Sequence, residues 1–473
     1  MGPVYLAGAF SRTSCEVRLY NEQASGPLEN EQLLGWPDLL VLTGLTTALD
    51  RMLHVTAYCR TKNPRVIVVA GGHAVRALPS FCVQFFDYCC LGDVEEMAEV
   101  IRDAFGPGAV AERAEPRFDL ADWLGRIGYL EASRGCNFRC SFCTLTAEGG
   151  RYHTHDIESV RSQIEALGKR DYLVFLDNNF YGPNRDHLRA VMDLLRERYD
   201  AGQFKGWAAL VTSDFFFEEE NLRLASESGC KALFSGVESF DDAWLRRVNK
   251  RQNTRRSPVD LIRSTLDAGI VFAYGLVLDV CHRSVADLRE ELEFVVGCPD
   301  ITLPAYVSLS IPILGTPFFH ECVRSDLLLP HTRIRDLDGS TLSLRPLDPL
   351  DQVEHFIRRE KSFADHRWQI LRRALGLARR YRSELSRDQL VLMAGLAASV
   401  CAPLLASAPG QWRAGRRRRT FVSSTDHLDR VYVPAFPVDR RYEGHFAATR
   451  LTDRAGRLTD ALAPDLLETR HAS

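Results

Sequence analysis

Three cysteines carry the sharpest chemical signal in this chain. In GYLEASRGCNFRCSFCT, Cys136, Cys140 and Cys143 stand as C-x3-C-x2-C on what must be one loop. Thiolates are soft ligands suited to iron and sulfide, and a cubane needs four ligands where this loop offers three. One iron is left open, and an open position marks a reactive centre rather than a structural one. A zinc knuckle is the structural alternative; it needs a fourth ligand in register, and His153 and His155 are the near candidates. Chance explains little: with 13 cysteines in 473 residues the triplet is expected roughly 0.01 times per chain. Eight other cysteines sit singly among apolar neighbours and read as small buried hydrophobes. The adjacent pair Cys89 and Cys90 has poor geometry for one metal and reads as the end of a buried strand.

The elements that position this loop follow from periodicity. Apolar runs at 128–133, 172–177, 207–212, 231–237, 270–279 and 302–310 alternate with amphipathic helices such as the one carrying Ile157, Val160, Ile164 and Leu167. Asn184 and Ser284 are expected N-caps, the latter with Asp287 three positions on, while Gly168 and Gly297 mark helix ends. Six strand-helix units with right-handed crossovers make an open, partial parallel barrel, with ligands at the C-terminal rim of its strands. Asp214 and Asp279 end the third and fifth strands and are expected at that rim as catalytic carboxylates, able to hydrogen-bond hydroxyls or pair with ammonium groups of a polar substrate.

Ahead of the barrel, the runs 16–19, 39–43 and 65–70 suggest a small Rossmann-like parallel α/β domain. The third run ends in Gly71-Gly72-His73, where such sheets bind ligands. Beyond Pro349 come long basic helices, His355 to Leu377 and Arg387 to Val400, then Arg413, the run Arg416 to Arg419 read as a solvated loop, and a strand-like VYVPAF. The expected division is an α/β chain with residues 1–110 as the Rossmann-like domain, 125–320 as the barrel and 321–473 as a mainly helical extension covering it.

Apolar residues make up 45% and charged residues 26%, with a net charge of -3. That balance is globular and gives no overall attraction to nucleic acid or anionic membrane. No apolar run reaches the ~18 to 20 residues of a membrane span, and MGPVYLAGAF lacks the basic flank of a secretory signal. A cytoplasmic protein with reduced cysteines and a small-molecule partner is expected.

The cysteine triplet after the first barrel strand resembles the hallmark of the radical S-adenosylmethionine (radical SAM) superfamily over roughly residues 125–320. The resemblance implies a 4Fe-4S cluster on Cys136, Cys140 and Cys143. Its open iron would chelate the amino and carboxylate groups of S-adenosylmethionine, which an injected electron cleaves to a 5′-deoxyadenosyl radical. A flavodoxin or ferredoxin would supply the electron. Phe142 occupies the position of the aromatic residue beside the adenine. Asp177, Asn178 and Asn179 in FLDNNFYG place acceptors for the methionyl ammonium, and Glu238 and Ser239 in GVESFDDAWLRRVNK would bind the ribose hydroxyls. IPILGTPFFH looks like the segment that closes the adenine side.

LLVLTGLTTAL, VIVVAGGHAV and FDYCCLGDVEEMAEVI resemble the cobalamin-binding-type domain fused to many radical SAM enzymes. Two departures weigh against cobalamin: no D-x-H-x-x-G supplies a histidine ligand, although some relatives bind without it, and the domain's opening strand is missing because MGPVYLAGAF looks like its first helix. The resulting expectation is a degenerate domain. The substrate expected is an aminosugar, dehydrated as by the radical SAM diol dehydratases of aminoglycoside biosynthesis, with a cobalamin-dependent radical methyltransferase as the alternative.

Overall fold

A computed structural model describes residues 2–359, 363, 366–405 and 432–467. The chain forms two compact units, one of Met1–Leu124, Ile311–Ser343 and Val422–Ser473, the other of Gly125–Ser310 and Leu344–Phe421. It leaves the first unit and returns to it twice.

The first unit is built on a parallel sheet of β1 (Leu39–Thr43), β2 (Ile67–Gly71) and β3 (Tyr88–Cys90), in that order. Each strand is too short to bury both faces unaided. Helix Leu49–Lys62 covers one face with ten buried residues, and Val69, Met97, Val100 and Ile101 form a core on the other. The run 16–19 takes no strand, and no strand precedes β1 among the described residues. Two of its four residues, Glu16 and Arg18, are charged and pair with each other on the surface, leaving too little apolar surface to bury as a sheet edge. MGPVYLAGAF does open as a helix, Gly2–Ala7. Residues 432–436 of VYVPAF are irregular rather than extended in a sheet. They pack with the rest of 432–467 against helix Leu49–Lys62, where Tyr432 donates to buried Asp50 at 2.7 Å.

The second unit holds the predicted partial barrel. Six parallel strands run β11-β10-β9-β8-β7-β4, with β4 at Ile127–Leu130, β7 at Tyr172–Phe175, β8 at Gly206–Val211, β9 at Cys230–Glu238, β10 at Val271–Leu278 and β11 at Tyr306–Leu309. A short antiparallel pair, β5 (Ser133–Arg134) and β6 (His153–Thr154), brackets the cysteine loop. The helix signals hold: Asn184 accepts from the His187 amide, Ser284 and Asp287 form a capping box, and Gly168 ends helix Ile157–Leu167. Those helices pack on one face of the sheet, since a side chain at Gly128 would meet Leu167 and Arg170.

Beyond the barrel the expected helix from His355 to Leu377 is two helices, Leu350–Arg359 and Arg367–Arg380. Arg373 of the second donates to the carbonyls of Val295, Ile301 and Thr302, and Gln389 of helix Arg387–Leu405 donates to those of Lys231 and Gly269. Gln389 thereby satisfies backbone oxygens at the N-terminal ends of β9 and β10, and Arg373 those at the end of helix Val285–Gly297 and ahead of β11. Arg413 and Arg416 to Arg419 lie outside the described residues. Among the described residues no helix is long and apolar enough to cross a membrane.

Candidate active site

The cysteine loop is fixed at its start by backbone geometry. Gly135, with φ of 78°, turns the chain from β5 into the loop, and a Cβ there would lie 2.8 Å from the Arg151 carbonyl oxygen. Only glycine fits both constraints. Just before it, the buried Asp177 carboxylate accepts from the Ala132 amide at 3.1 Å and the Ser133 hydroxyl at 2.6 Å. Burial pushes that carboxyl up to about 7, because these donors only partly replace water. The Asn178 side chain accepts from the Gly135 amide at 3.2 Å, and Asn179 donates to the Asn137 side chain at 2.8 Å while accepting from the Thr212 amide. All three residues of the FLDNN turn therefore grip the cysteine loop, with Asn178 alone well exposed.

A second segment, 248–253, holds the loop from the other side. The Val248 carbonyl accepts from the Ser141 amide at 3.0 Å, and Asn249 donates to the Arg139 carbonyl at 2.7 Å. Gln252 aims its amide N–H at the Cys140 sulfur, 3.6 Å away. Asn253 ties the segment to the carbonyls of Gly236 and Val237 at the end of β9. Between these points lies the buried Lys250 ammonium, 2.9 Å from Glu238 and 5.7 Å from the centre of the Phe142 ring. Glu238 itself adopts a φ of 63°. A Cβ on Gly236 would come within 2.3 Å of the Glu238 carboxylate and 2.8 Å of the Lys250 ammonium, so the pair exists because that residue is glycine.

Ser239 is fully buried. Its hydroxyl donates to Glu291 at 2.5 Å and accepts from Arg283, which also pairs with Glu291 at 2.6 Å. Asp279 is likewise enclosed: its carboxylate accepts from the Trp244 indole at 2.8 Å, His282 at 2.8 Å and the Cys281 amide at 3.1 Å. Burial alone would raise the Asp279 carboxyl, but the His282 bond and the other donors hold it below the usual range. Trp244 in turn stacks near Phe142, ring centres 6.3 Å apart, beside the last cysteine. Asp214 is half-buried, accepts from the Thr212 hydroxyl, and is pushed upward by burial. His155 pairs with Glu131 at 3.0 Å, and His153 lies exposed next to it.

Lys250, Gln252, Arg283 and Glu291 were not singled out by sequence reasoning. Lys250 closes the GVES…VNK stretch, the one available signal; Glu291 sits in an acidic helix that reads as solvated.

The donor set suits an iron-sulfur cluster. All three cysteines are free thiols, and burial pushes Cys136 up to about 11 and raises Cys143. A buried thiolate needs nearby positive charge, which cluster iron and Lys250 would supply. Donors already point at sulfur, the Phe138 amide at Cys136 and the Gln252 amide at Cys140. Among the described residues no three His, Cys, Asp or Glu side chains converge tightly enough for a single ion; a cubane instead takes each thiolate on a separate iron.

In the first unit the strand ends carry glycines at Gly44, Gly71 and Gly72. Gly72, with φ of 99°, would place a Cβ 2.8 Å from the Gly44 carbonyl oxygen, and one on Gly44 would lie 2.7 Å from the Ala48 methyl. Thr43 borders this floor, and His73 is turned to the Leu314 carbonyl at 3.1 Å. The loops after β1 and β2 thus meet at close range beside the Thr43 hydroxyl and the Ala48 methyl, at the strand ends where parallel sheets bind ligands. The surface fits cobalamin held by loops rather than by a histidine.

Comparisons with known proteins agree with both halves. The Radical SAM superfamily profile matches residues 130–293 and the B12 binding domain profile residues 1–102. An uncharacterized methyltransferase of Synechocystis sp. is 22% identical over 67% of this chain and 62% of its own length. The chain thus spans somewhat under two thirds of that relative. Bacteriochlorophyllide d C-8(2)-methyltransferase of Chlorobaculum tepidum is 26% identical over 62% of this chain and 69% of its own. The structure of the cobalamin-dependent radical enzyme OxsB with aqua-cobalamin and S-adenosylmethionine bound superposes with a TM-score of 0.58 at 16% identity, covering 94% of this chain and 74% of that one.

These findings overturn the expectation of an aminosugar dehydratase, since most of the relatives found are methyltransferases. They also reverse the setting aside of cobalamin, because the domain read as degenerate matches the B12 binding profile despite its missing strand and histidine motif. The chain therefore carries a segment that matches a B12 binding domain ahead of one that matches the radical SAM superfamily.

Proposed function

We propose that this chain is a cobalamin-dependent radical SAM methyltransferase acting on an apolar, ring-bearing small molecule. The observation that carries the reading is the match of residues 1–102 to a B12 binding domain, with Gly72 allowing the loops after β1 and β2 to meet closely, in the same chain as the cysteine loop. When bound, the cluster with S-adenosylmethionine supplies a carbon radical, and cobalamin supplies a methyl carrier.

The chain's own residues have separable roles in this reading. Cys136, Cys140 and Cys143 hold the cluster, and Phe142 lies beside the adenine. Glu238, paired with Lys250, offers a carboxylate to the ribose; Asn178, the exposed member of its turn, presents its amide oxygen to the methionyl ammonium, and the buried Asn179 positions the loop through Asn137. Asp177, Ser239 and Asp279 act by positioning, since their polar atoms already serve the cysteine loop, the Arg283–Glu291 pair and Trp244. Asp214 is the carboxylate this reading assigns to the substrate. A small redox protein of the flavodoxin or ferredoxin type delivers the electron.

The substrate's character follows from the face of the barrel sheet opposite the helices. Residues paired across parallel strands share a face, so Val174, Leu210, Phe234, Val277 and Tyr306 lie on the side opposite Gly128. Tyr306 is 46% exposed and its ring lies nearly parallel to that of Phe234, with centres 6.0 Å apart. Such a surface favours a flat apolar ligand over a polyhydroxylated one.

The test is anaerobic turnover of protein reconstituted with iron, sulfide and hydroxocobalamin. It uses S-adenosylmethionine labelled in its methyl group, with indole-type and tetrapyrrole acceptors set against aminosugars. Label in an apolar acceptor, with S-adenosylhomocysteine formed, supports the proposal. Formation of 5′-deoxyadenosine without S-adenosylhomocysteine on any acceptor contradicts methyl transfer, and label in aminosugars alone contradicts the substrate class.

A further inference from the structure

The segment 248–253 does more than hold the cysteine loop in shape. Of its four attachments, those of Val248 and Asn249 reach backbone atoms of the loop, which any positioning strut would do. The other two carry charge or dipole toward the ligand atoms. Gln252 directs an N–H at the Cys140 sulfur from a buried site, 6% exposed, with its amide 3.6 Å from that sulfur. Lys250, 8% exposed, sets its ammonium against the face of Phe142, the residue between Ser141 and Cys143, and is balanced by one carboxylate, Glu238. In a medium from which water is largely excluded, such fixed charges act at close to full strength.

We infer that Gln252 and Lys250 are positioning residues that set the reduction potential of the cluster, raising it, while Glu238 opposes them. Reduction takes the cluster from 4Fe-4S(2+) to 4Fe-4S(1+) by one electron from an outside donor, with no proton required. The added negative charge spreads over iron and sulfur. An N–H directed at a ligand sulfur and a nearby ammonium both stabilise that extra charge, and a nearby carboxylate destabilises it. This inference concerns the radical SAM half alone, so it stands or falls separately from the methyl-transfer reading.

The experiment is a dithionite redox titration of the anaerobically reconstituted full chain without S-adenosylmethionine, followed by electron paramagnetic resonance of the reduced cluster. Iron content is measured on every sample. The account expects Q252L and K250M to lower the midpoint potential, K250R to restore it toward that of the parent chain, and E238Q to raise it. Opposite signs on the two sides of one ion pair are what electrostatics requires and what simple damage to the loop does not produce. Midpoints of Q252L and K250M equal to the parent's would overturn the inference, as would shifts of all three variants in one direction. Should K250M fail to assemble a cluster, Q252L and E238Q decide the matter. Loss of the cluster from Q252L would also overturn it, because a bond that only tunes the cluster is not needed to build it.

Discussion

The two units place their binding surfaces at the same topological position, the C-terminal ends of parallel strands, and build them from opposite materials. In the barrel unit the strand ends carry Asp177, Asp214, Glu238 and Asp279, each with identified hydrogen-bond or ion-pair partners. In the first unit the corresponding positions are Gly44, Gly71 and Gly72, and at Gly72 the loop packs directly on the Gly44 backbone. A site made of side chains announces itself in a sequence by residue type and spacing. A site made of loop backbone announces itself mainly by what is missing, and glycine-rich turns are common enough to be read as punctuation.

That contrast can be broken by substitution, beginning with the largest effect. Cys136→Ala, Cys140→Ala or Cys143→Ala should each abolish cluster assembly and reductive cleavage of S-adenosylmethionine, read as iron content and 5′-deoxyadenosine, while leaving cobalamin retention intact. Gly72→Val should do the reverse. A β-branched residue at a φ of 99° with its Cβ 2.8 Å from a carbonyl oxygen carries strain of about 1–3 kcal/mol before the clash is counted. Cobalamin retained on a desalting column should fall about tenfold or more with iron unchanged. Equal loss of both cofactors in either variant would erase the distinction between the units.

A smaller effect tests whether the barrel's polar groups are as interdependent as their geometry indicates. Arg283→Met leaves Glu291 buried and without its guanidinium partner, and breaking such a pair costs about 3–5 kcal/mol. Chemical denaturation monitored by circular dichroism should show that loss. The smallest effect is a pH drift. Asp177 is held up to about 7 by burial, above its ordinary value, so the folded state keeps a proton that the unfolded chain releases near pH 4. Its contribution to stability is present below the unfolded value and is lost as pH rises through 7. Asp177→Asn, which mimics the protonated acid, should remove that decline, seen as a flatter melting temperature between pH 4 and pH 8 than in the parent chain.

Much of the barrel was legible because it obeys local rules. Strands of the right length alternate with helices whose apolar faces recur at helical spacing, and Asn184, Ser284 and Gly168 cap where their chemistry requires. The cysteine loop was legible through spacing alone. What was not legible depends on contacts distant in sequence. Gln252 meets Cys140 across more than a hundred residues, and Glu291 meets Ser239 across a strand and two helices. No local pattern distinguishes such a glutamine or glutamate from a solvated one. The apparent strand at 16–19 failed for the converse reason: extended residues without a partner edge do not make a sheet. The expectation of a degenerate first domain rests on two absences, the opening strand and the histidine motif, and residues 1–102 match a B12 binding domain despite both.

The central claim is that both units bind cofactors in one working enzyme, and cobalamin is the part most exposed to test. Full-length protein, reconstituted anaerobically with iron and sulfide, is mixed with hydroxocobalamin, passed through a desalting column and read by visible absorbance alongside its Gly72→Val variant. The account predicts stoichiometric corrinoid absorbance co-eluting with the parent chain and little with the variant. A parent chain that elutes with a full cluster and no corrinoid would contradict it.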